Sequence, residues 1–145
     1  MDPNRRQAVQ RLGITSDDII HGGHDSSGDI LIGGDGNDVI FGGSGKDDLQ
    51  GGDGDDTFIM RAGFSQDTVN GGADYDIIAF DSVLTQAEMD DPGSWLTLGA
   101  GTIIHASGSN TVTFSGGTAS DTIDLGGGNE ITFVNIEQID YALLG

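Results

Sequence analysis

The sequence of 145 residues has no cysteine, one lysine and only two prolines. The missing cysteines exclude disulfides and thiolate metal sites. Five basic residues against 24 acidic ones give a net charge of −19, and so little positive charge argues against neutralising nucleic-acid phosphates. No apolar run is long enough to cross a membrane. We therefore expect neither a nucleic-acid partner nor a membrane span.

Aspartate and glycine are abundant instead. Glycine makes up 26 of the 145 residues, and only three of the 24 acidic residues are glutamate. Glutamate is a good helix former, whereas aspartate and glycine favour turns. The composition therefore excludes a mainly helical protein. A compact body with this charge would repel itself, which favours neutralisation by bound cations.

A nine-residue repeat lies in the first half of the chain. Residues 33–41, 42–50 and 51–59 are three contiguous units of the form G-G-x-G-x-D-x-U-x, where U is a large apolar residue. Weaker units extend the pattern to about residues 18–79, as expected for the ends of a stacked array. The aspartates that open the Asp-x-U core are Asp18, Asp29, Asp38, Asp47, Asp56, Asp67 and Asp76.

The spacing predicts the architecture. Six turn residues followed by a three-residue strand cannot form a helix, and the period of two along a strand points U inward and its neighbours outward. Successive units then lie in opposite sheets, which gives an all-β fold, a parallel β-roll. The sheet that follows Asp18, Asp38, Asp56 and Asp76 has a mostly apolar outer face. We expect residues 82–145 or a partner to cover that face.

The flanks of the repeats are predicted separately. Residues 2–12 resemble a short N-terminal helix, with Asp2 as cap and Gly13 as stop. From Trp95 onward the sequence indicates short strands separated by Gly-rich breaks, a β-rich region that caps the roll. The predicted organisation is an N-terminal helical cap over 1–17, the roll over 18–81 and the β-rich C-terminal flank over 82–145.

The units resemble the nonapeptide repeats of the RTX (repeats-in-toxin, haemolysin-type) proteins, which include proteases, lipases, adhesins and mannuronan epimerases. The strong resemblance covers residues 33–59 and a looser one covers about 18–81. Residues 128–139 also look like segments that accompany such repeats. The resemblance implies Ca²⁺ binding, and the chemistry agrees, because Ca²⁺ takes carboxylate and carbonyl oxygens.

The resemblance also implies ligands, since one ion would lie between a turn and the second turn after it. About two to four ions are expected. The leading pair of turns is 33–38 with 51–56, followed by 22–29 with 42–47. Weaker sites would add Asp76 to turn 51–56 and Asp67 to turn 42–47. The candidate ligands in the turns are Asp29, Gly34, Gly36, Asp38, Gly43, Gly45, Asp47, Gly52, Gly54, Asp56 and Asp76.

No protease or lipase motif occurs, so an enzyme is not expected, and an enzyme with an unrecognised site in residues 82–145 stays open as an alternative. The resemblance implies a secreted, extracellular bacterial module that folds on binding Ca²⁺ after unfolded export by a type I ABC exporter, whose signal the C-terminal flank could carry. The alternative is a Ca²⁺-stabilised module that binds a polysaccharide or a cell surface, as in the epimerases or adhesins. A fused effector domain is a further partner that the sequence leaves open.

Overall fold

The computed structural model describes residues 11–12, 15–61, 65–81, 96–98, 103–105, 111–114, 119–124 and 130–140. These residues form strands joined by turns, and no helix among them could cross a membrane. The strands are β1 (Arg11–Leu12), β2 (Ile19–Gly23), β3 (Ile30–Asp35), β4 (Val39–Gly43), β5 (Asp48–Asp53), β6 (Thr57–Arg61), β7 (Gln66–Ala73), β8 (Ile77–Asp81), β9 (Leu96–Leu98), β10 (Ile103–His105), β11 (Thr111–Phe114), β12 (Ala119–Asp124), β13 (Glu130–Ile136) and β14 (Gln138–Asp140).

The strands of the repeats alternate between two sheets, as the nine-residue spacing predicts. The first sheet has the order β10-β11-β14-β8-β6-β4-β2, and the second has the order β1-β3-β5-β7-β13-β12-β9. Within the repeats every pairing is parallel and joins a strand to the second strand after it. This is the predicted parallel β-roll.

The apolar U residues form the core between the two sheets. Each of them pairs in register with the U residue of the neighbouring strand, so that Ile40 lies between Ile20 and Phe58. Removing such a column from water is the main favourable contribution to the fold. The repeat members of the core, all at most 3 % exposed, are Ile20, Leu31, Ile40, Leu49, Phe58, Val69 and Ile78.

The C-terminal strands continue both sheets. β13 pairs in parallel with β7, and β14 pairs in parallel with β8. The remaining strands β9 to β12 then add in antiparallel fashion beyond them. The predicted β-rich capping of the open edge is thus confirmed for the described strands. The cover of the first sheet's apolar outer face by residues 82–145 or a partner stays a prediction. The described strands of this region extend the two sheets at their edges, and its other residues lie outside the described ones.

The N-terminal prediction needs a correction. Arg11 and Leu12, expected at the end of a helix, form β1 and pair in parallel with Leu31 and Ile32 of β3. The free edge of β3 offers unpaired backbone groups, and pairing with them prevails over a weak local helix signal. Residues 2–10 of the predicted helix lie outside the described residues.

Candidate calcium sites

Two columns of aspartates run along the edges of the roll, one at the turns that lead into each sheet. The first column contains Asp18, Asp38, Asp56 and Asp76, and the second contains Asp29, Asp47 and Asp67. Each backbone N–H donates to Oδ1 of the next aspartate in its column. For example, the N–H of Asp38 donates to Asp56 at 2.8 Å, and that of Asp29 donates to Asp47 at 2.9 Å. The remaining steps have the same geometry, at 2.8 to 2.9 Å.

The second carboxylate oxygen of each aspartate, Oδ2, is the atom that can bind a metal ion. Within the described part of the chain, five of these Oδ2 atoms are fully buried and have no hydrogen-bond partner. Burying an unpaired carboxylate oxygen is costly, and native proteins compensate such groups with a partner or an ion. A column of them, spaced one turn apart, therefore fits a row of cations. The five belong to Asp38, Asp47, Asp56, Asp67 and Asp76.

Glycine lets the turns stack closely enough to bring backbone oxygens beside these carboxylates. Gly52 has φ +128°, and a Cβ built on it would overlap the carbonyl oxygen of Gly34 in the neighbouring turn. A Cβ on Gly33 would meet both Asp38 Oδ2 and, at 2.6 Å, the carbonyl oxygen of Gly51. One small space is therefore bordered by a carboxylate oxygen and a carbonyl oxygen from two different turns.

The electrostatics of the two columns favour a positive partner. Burial raises the pKa of Asp47 and Asp56 to about 6 and that of Asp67 and Asp76 to about 7. The donated N–H bond lowers each pKa in part, and the negative charge of the preceding aspartate, the residue that donates this bond, raises it again. Each carboxylate is thus held in a place where its negative charge is disfavoured unless a cation accompanies it.

The ligand set is made of oxygen. No group of three or more His, Cys, Asp or Glu side chains that could hold a metal is found in the described ranges. Each pair of turns instead combines two carboxylates with backbone carbonyls. Ca²⁺ accepts six to eight oxygens with flexible geometry, whereas Zn²⁺ selects nitrogen and sulfur. The residues present therefore fit Ca²⁺.

Residues 24–58, 59–79 and 113–133 match the model of the RTX calcium-binding nonapeptide repeat, in four copies that together cover more than half of the chain. The chain belongs to this family. The RTX repeats make it a Ca²⁺-binding module. No curated protein and no solved structure compared with the chain matches it.

The RTX match and the fold differ in one segment. Residues 113–133 match the repeat, yet β12 within them pairs in antiparallel fashion with both β13 and β9. The following strand, β13, resumes the parallel pairing of the roll. Ile123 of the sequence echo Asp121-Thr122-Ile123 is nevertheless buried in the core.

The structure brings the predicted RTX turns together in pairs. Turn 33–38 lies beside turn 51–56, with Gly34 next to Gly52 and Gly36 next to Gly54. Turn 42–47 lies beside turn 22–29, where Gly43 contacts Gly23 and Gly45 contacts Ser27. Asp76 extends the first column and Asp67 extends the second. The role of each residue as a ligand stays a prediction.

Sequence reasoning missed two groups of residues. The first is the glycine that opens each turn, since the carbonyl oxygens of Gly51 and Gly71 border the spaces beside Asp38 and Asp56. The repeated Gly-Gly pair was the signal that could have found them. The second is Glu137, whose Oε2 accepts the N–H of Asp76 at 2.7 Å. The resemblance of residues 128–139 to segments that accompany such repeats marked the region of Glu137, but no repeat motif precedes it, so the sequence did not predict its position in the column.

Proposed function

We propose that this RTX module is exported unfolded by a type I secretion system and folds outside the cell when Ca²⁺ binds. The observation that carries the proposal is the five buried Oδ2 atoms that have no hydrogen-bond partner among the described residues. They mean that the folded turns present concentrated negative charge in a chain whose net charge is already −19. Metal-free, the same chain gains more from staying solvated than from closing these turns.

The proposed ion sites use the paired turns. Asp38 and Asp56 would hold one ion with backbone carbonyls of Gly34, Gly36, Gly52 and Gly54. Asp29 and Asp47 would hold another with carbonyls of Gly43 and Gly45. Asp76 and Asp67 would each extend a column by one site. The total then agrees with the expected number of about two to four ions. The bound ions supply positive charge, and the chain supplies the spacing that keeps the carboxylates one turn apart.

Binding and folding are linked through these sites. An ion that binds only the folded roll stabilises it by mass action, and the unfolded chain holds no preformed site. Extracellular Ca²⁺ modules bind with dissociation constants of about 10⁻⁴–10⁻³ M. Cytosolic Ca²⁺ would leave such sites empty and extracellular Ca²⁺ would fill them. Folding on the far side then opposes backward movement through the exporter.

A titration followed by far-UV circular dichroism tests the coupling. The EDTA-treated protein is titrated with CaCl₂ and separately with MgCl₂. We expect a disordered spectrum that becomes β-rich cooperatively with Ca²⁺ alone, because Mg²⁺ needs strict octahedral geometry and keeps its waters. A spectrum that is β-rich in EDTA and unchanged by Ca²⁺ would refute coupled folding.

Export is tested separately. The chain is produced in a bacterium with and without a type I ABC exporter, and the protein in the medium is quantified. We expect exporter-dependent appearance in the medium. Fusing a fast-folding, Ca²⁺-independent domain to the N-terminus should block export, because the chain must be unfolded to pass. Equal amounts in the medium with and without the exporter would contradict the proposal.

A second candidate function is binding of a polysaccharide or a cell surface, favoured by a cluster on the outer face of the first sheet. His21 stacks on Phe41 with ring centroids 4.4 Å apart, and the Arg61 guanidinium lies 5.0 Å above the same ring. A cavity of about 150 Å³ adjoins them. An apolar ring flanked by polar groups suits a sugar.

Binding to immobilised polysaccharide tests this second function. Phe41→Ala should abolish binding, while Thr57→Ala, on the same face, should retain it. Equal binding by the two variants would exclude this role.

A further inference from the structure

The first column of aspartates does not end with the last repeat. Beyond Asp76 the next carboxylate belongs to Glu137, which is only 7 % exposed and lies between β13 and β14. The N–H of Asp76 donates to Glu137 Oε2 at 2.7 Å, just as the N–H of Asp56 donates to Asp76 Oδ1 at 2.9 Å. Glu137 therefore stands where a further repeat would place its aspartate.

The backbone repeats the geometry of an RTX turn at the same place. Within the repeats, the residue after each column aspartate donates its N–H to the backbone carbonyl of the aspartate in the neighbouring turn. Ile77, for example, donates to the carbonyl of Asp56 at 2.9 Å. At the junction Gln138, the residue after Glu137, donates to the carbonyl of Asp76 at 3.2 Å. The register of β14 on β8 is thus that of one more repeat, although no nonapeptide precedes it.

A carbonyl oxygen completes the likeness. In the repeats a Cβ on Gly51 would overlap Asp56 Oδ2 and the carbonyl oxygen of Gly71. A Cβ on Gly71 would overlap Asp76 Oδ2 and the carbonyl oxygen of Asn135. Asn135 has φ +53°, a left-handed conformation that asparagine tolerates better than most residues. This bend lets a segment much shorter than a repeat turn place its carbonyl beside Asp76.

Side-chain bonds hold the segment against the last repeat turn. The hydroxyl of Tyr75 donates to Gln138 Oε1 at 2.9 Å, and Nδ2 of Asn135 donates to Asn70 Oδ1 at 3.2 Å. Asp76 itself is fully buried, and its Oδ2 has no hydrogen-bond partner in the described residues. The junction thus holds a buried carboxylate oxygen of Asp76, without a hydrogen-bond partner in the described residues, beside the carbonyl oxygen of Asn135. The Glu137 carboxylate contacts Asp76 through the backbone N–H of that residue.

The second column behaves differently. Its last member is Asp67, and the residue in register with Asp67 on β13 is Ile131, which has no carboxylate. The N–H of Asp67 donates instead to the carbonyl of Ser65 at 3.1 Å. Among the described residues, the first column alone therefore extends past the repeats.

We propose that Asp76, Glu137 and the backbone carbonyl of Asn135 form a further Ca²⁺ site at the junction of the last repeat turn and the C-terminal strands. The family match ends at residue 133, so no repeat marks this site. The inference rests on the proposed function, since it requires that the columns bind Ca²⁺. The site would link docking of β13 and β14 on the roll to Ca²⁺ binding, which also folds the repeats.

The test counts ions. Equilibrium dialysis against saturating ⁴⁵Ca²⁺ is carried out on wild type, Glu137→Gln and Glu130→Gln. The glutamine at 137 can still accept the N–H of Asp76 but carries no charge. Glu130 is half-buried at the start of the same strand, beside Lys46 and Asp67 and not beside Asp76, so its substitution removes an equal charge away from the junction. We expect Glu137→Gln to bind one Ca²⁺ fewer per chain and Glu130→Gln to bind as many as wild type.

A second measurement uses the wild-type protein and therefore tests the site even if the Glu137→Gln variant does not fold. The wild-type protein is labelled with ¹³C in its glutamate carboxylates, of which the chain has three, and is saturated with Ca²⁺ or with Sr²⁺. Exchange of the ion should shift the infrared antisymmetric stretch of one glutamate carboxylate, the ligating one, and this shift should persist in Glu130→Gln.

The outcomes separate the two proposals. Wild type that binds Ca²⁺, together with an unchanged ion count in Glu137→Gln and no glutamate band shift, would overturn the junction site alone and leave Glu137 as a hydrogen-bond acceptor. Wild type that binds no Ca²⁺ would overturn the proposed function and the junction site together.

Discussion

The backbone N–H of Asp38 donates to Oδ1 of Asp56 at 2.8 Å, while Oδ2 of Asp56 is buried without a hydrogen-bond partner in the described residues. One carboxylate thus performs two tasks. Its first oxygen fixes the register of neighbouring turns, and its second oxygen faces the space where an ion fits. Structure and metal binding are therefore separable by mutation, because an amide keeps the first oxygen and removes the charge.

Asp56→Asn should weaken Ca²⁺ binding without preventing the fold at high Ca²⁺. The amide oxygen can still accept the N–H of Asp38, but one ligand charge is lost from the first column. We expect the Ca²⁺ midpoint in circular dichroism to rise about tenfold, equal to about 1.4 kcal/mol. Asp53→Asn is the control, because Asp53 is exposed in the same turn. Equal midpoints for the two variants would exclude Asp56 as a ligand.

Without Ca²⁺ the roll should gain stability as the pH falls from 7 to 4. Burial raises the pKa of Asp56 to about 6 and of Asp76 to about 7, against an unfolded value of 3.8. The folded state therefore binds more protons in this window, and its stability falls as the pH rises through the folded pKa values. EDTA-treated protein should show more β signal at pH 4.5 than at pH 7.5. A pH-independent spectrum would contradict this expectation.

Acid should have the opposite effect on metal binding. Protons compete with Ca²⁺ for carboxylates whose pKa values burial has raised, as it has for Asp47 and Asp67. The Ca²⁺ dissociation constant, measured by calorimetry, should therefore increase between pH 7.5 and pH 6, and proton release should accompany binding. An affinity that is constant over this range would show that these aspartates are not ligands.

Gly52→Ala should disrupt the stacking of turns. The added Cβ would overlap the carbonyl oxygen of Gly34, and the φ of +128° is strained for alanine. Gly23→Ala is a matched control, because Gly23 also has a positive φ (+143°) but its Cβ would contact nothing within 4 Å. Both variants pay about 1 kcal/mol or more for strain, and only Gly52→Ala adds the clash. Its Ca²⁺ midpoint should therefore rise more than that of Gly23→Ala.

Phe58→Ala should leave the Ca²⁺ ligands intact and still impair folding. Phe58 is fully buried and in register with Ile40 and Ile78. Truncating such a side chain costs about 3–5 kcal/mol, which more Ca²⁺ must offset. The thermal midpoint of the Ca²⁺-loaded protein should fall well below that of Ile59→Ala, whose side chain points outward. Comparable midpoints would mean that the ions alone hold the roll together.

The repeats show how much of the fold the local sequence can predict. The spacing of Asp38, Asp47 and Asp56 was enough to predict which strands share a sheet, which residues form the core and which turns lie side by side. The reason is physical: each unit contacts only its neighbours in the stack, so one short pattern, applied repeatedly, fixes the roll.

The ends of the roll were decided by tertiary structure. Arg11–Leu12 joins β3 as a strand, and Glu137 reaches Asp76 across 61 positions of sequence. No local pattern encodes these contacts, because an open sheet edge accepts any segment that can supply backbone partners and bury its apolar side chains. The sequence by itself determined an RTX roll with its two aspartate columns. Only the packing of distant strands decided where each column ends and which carboxylate closes it.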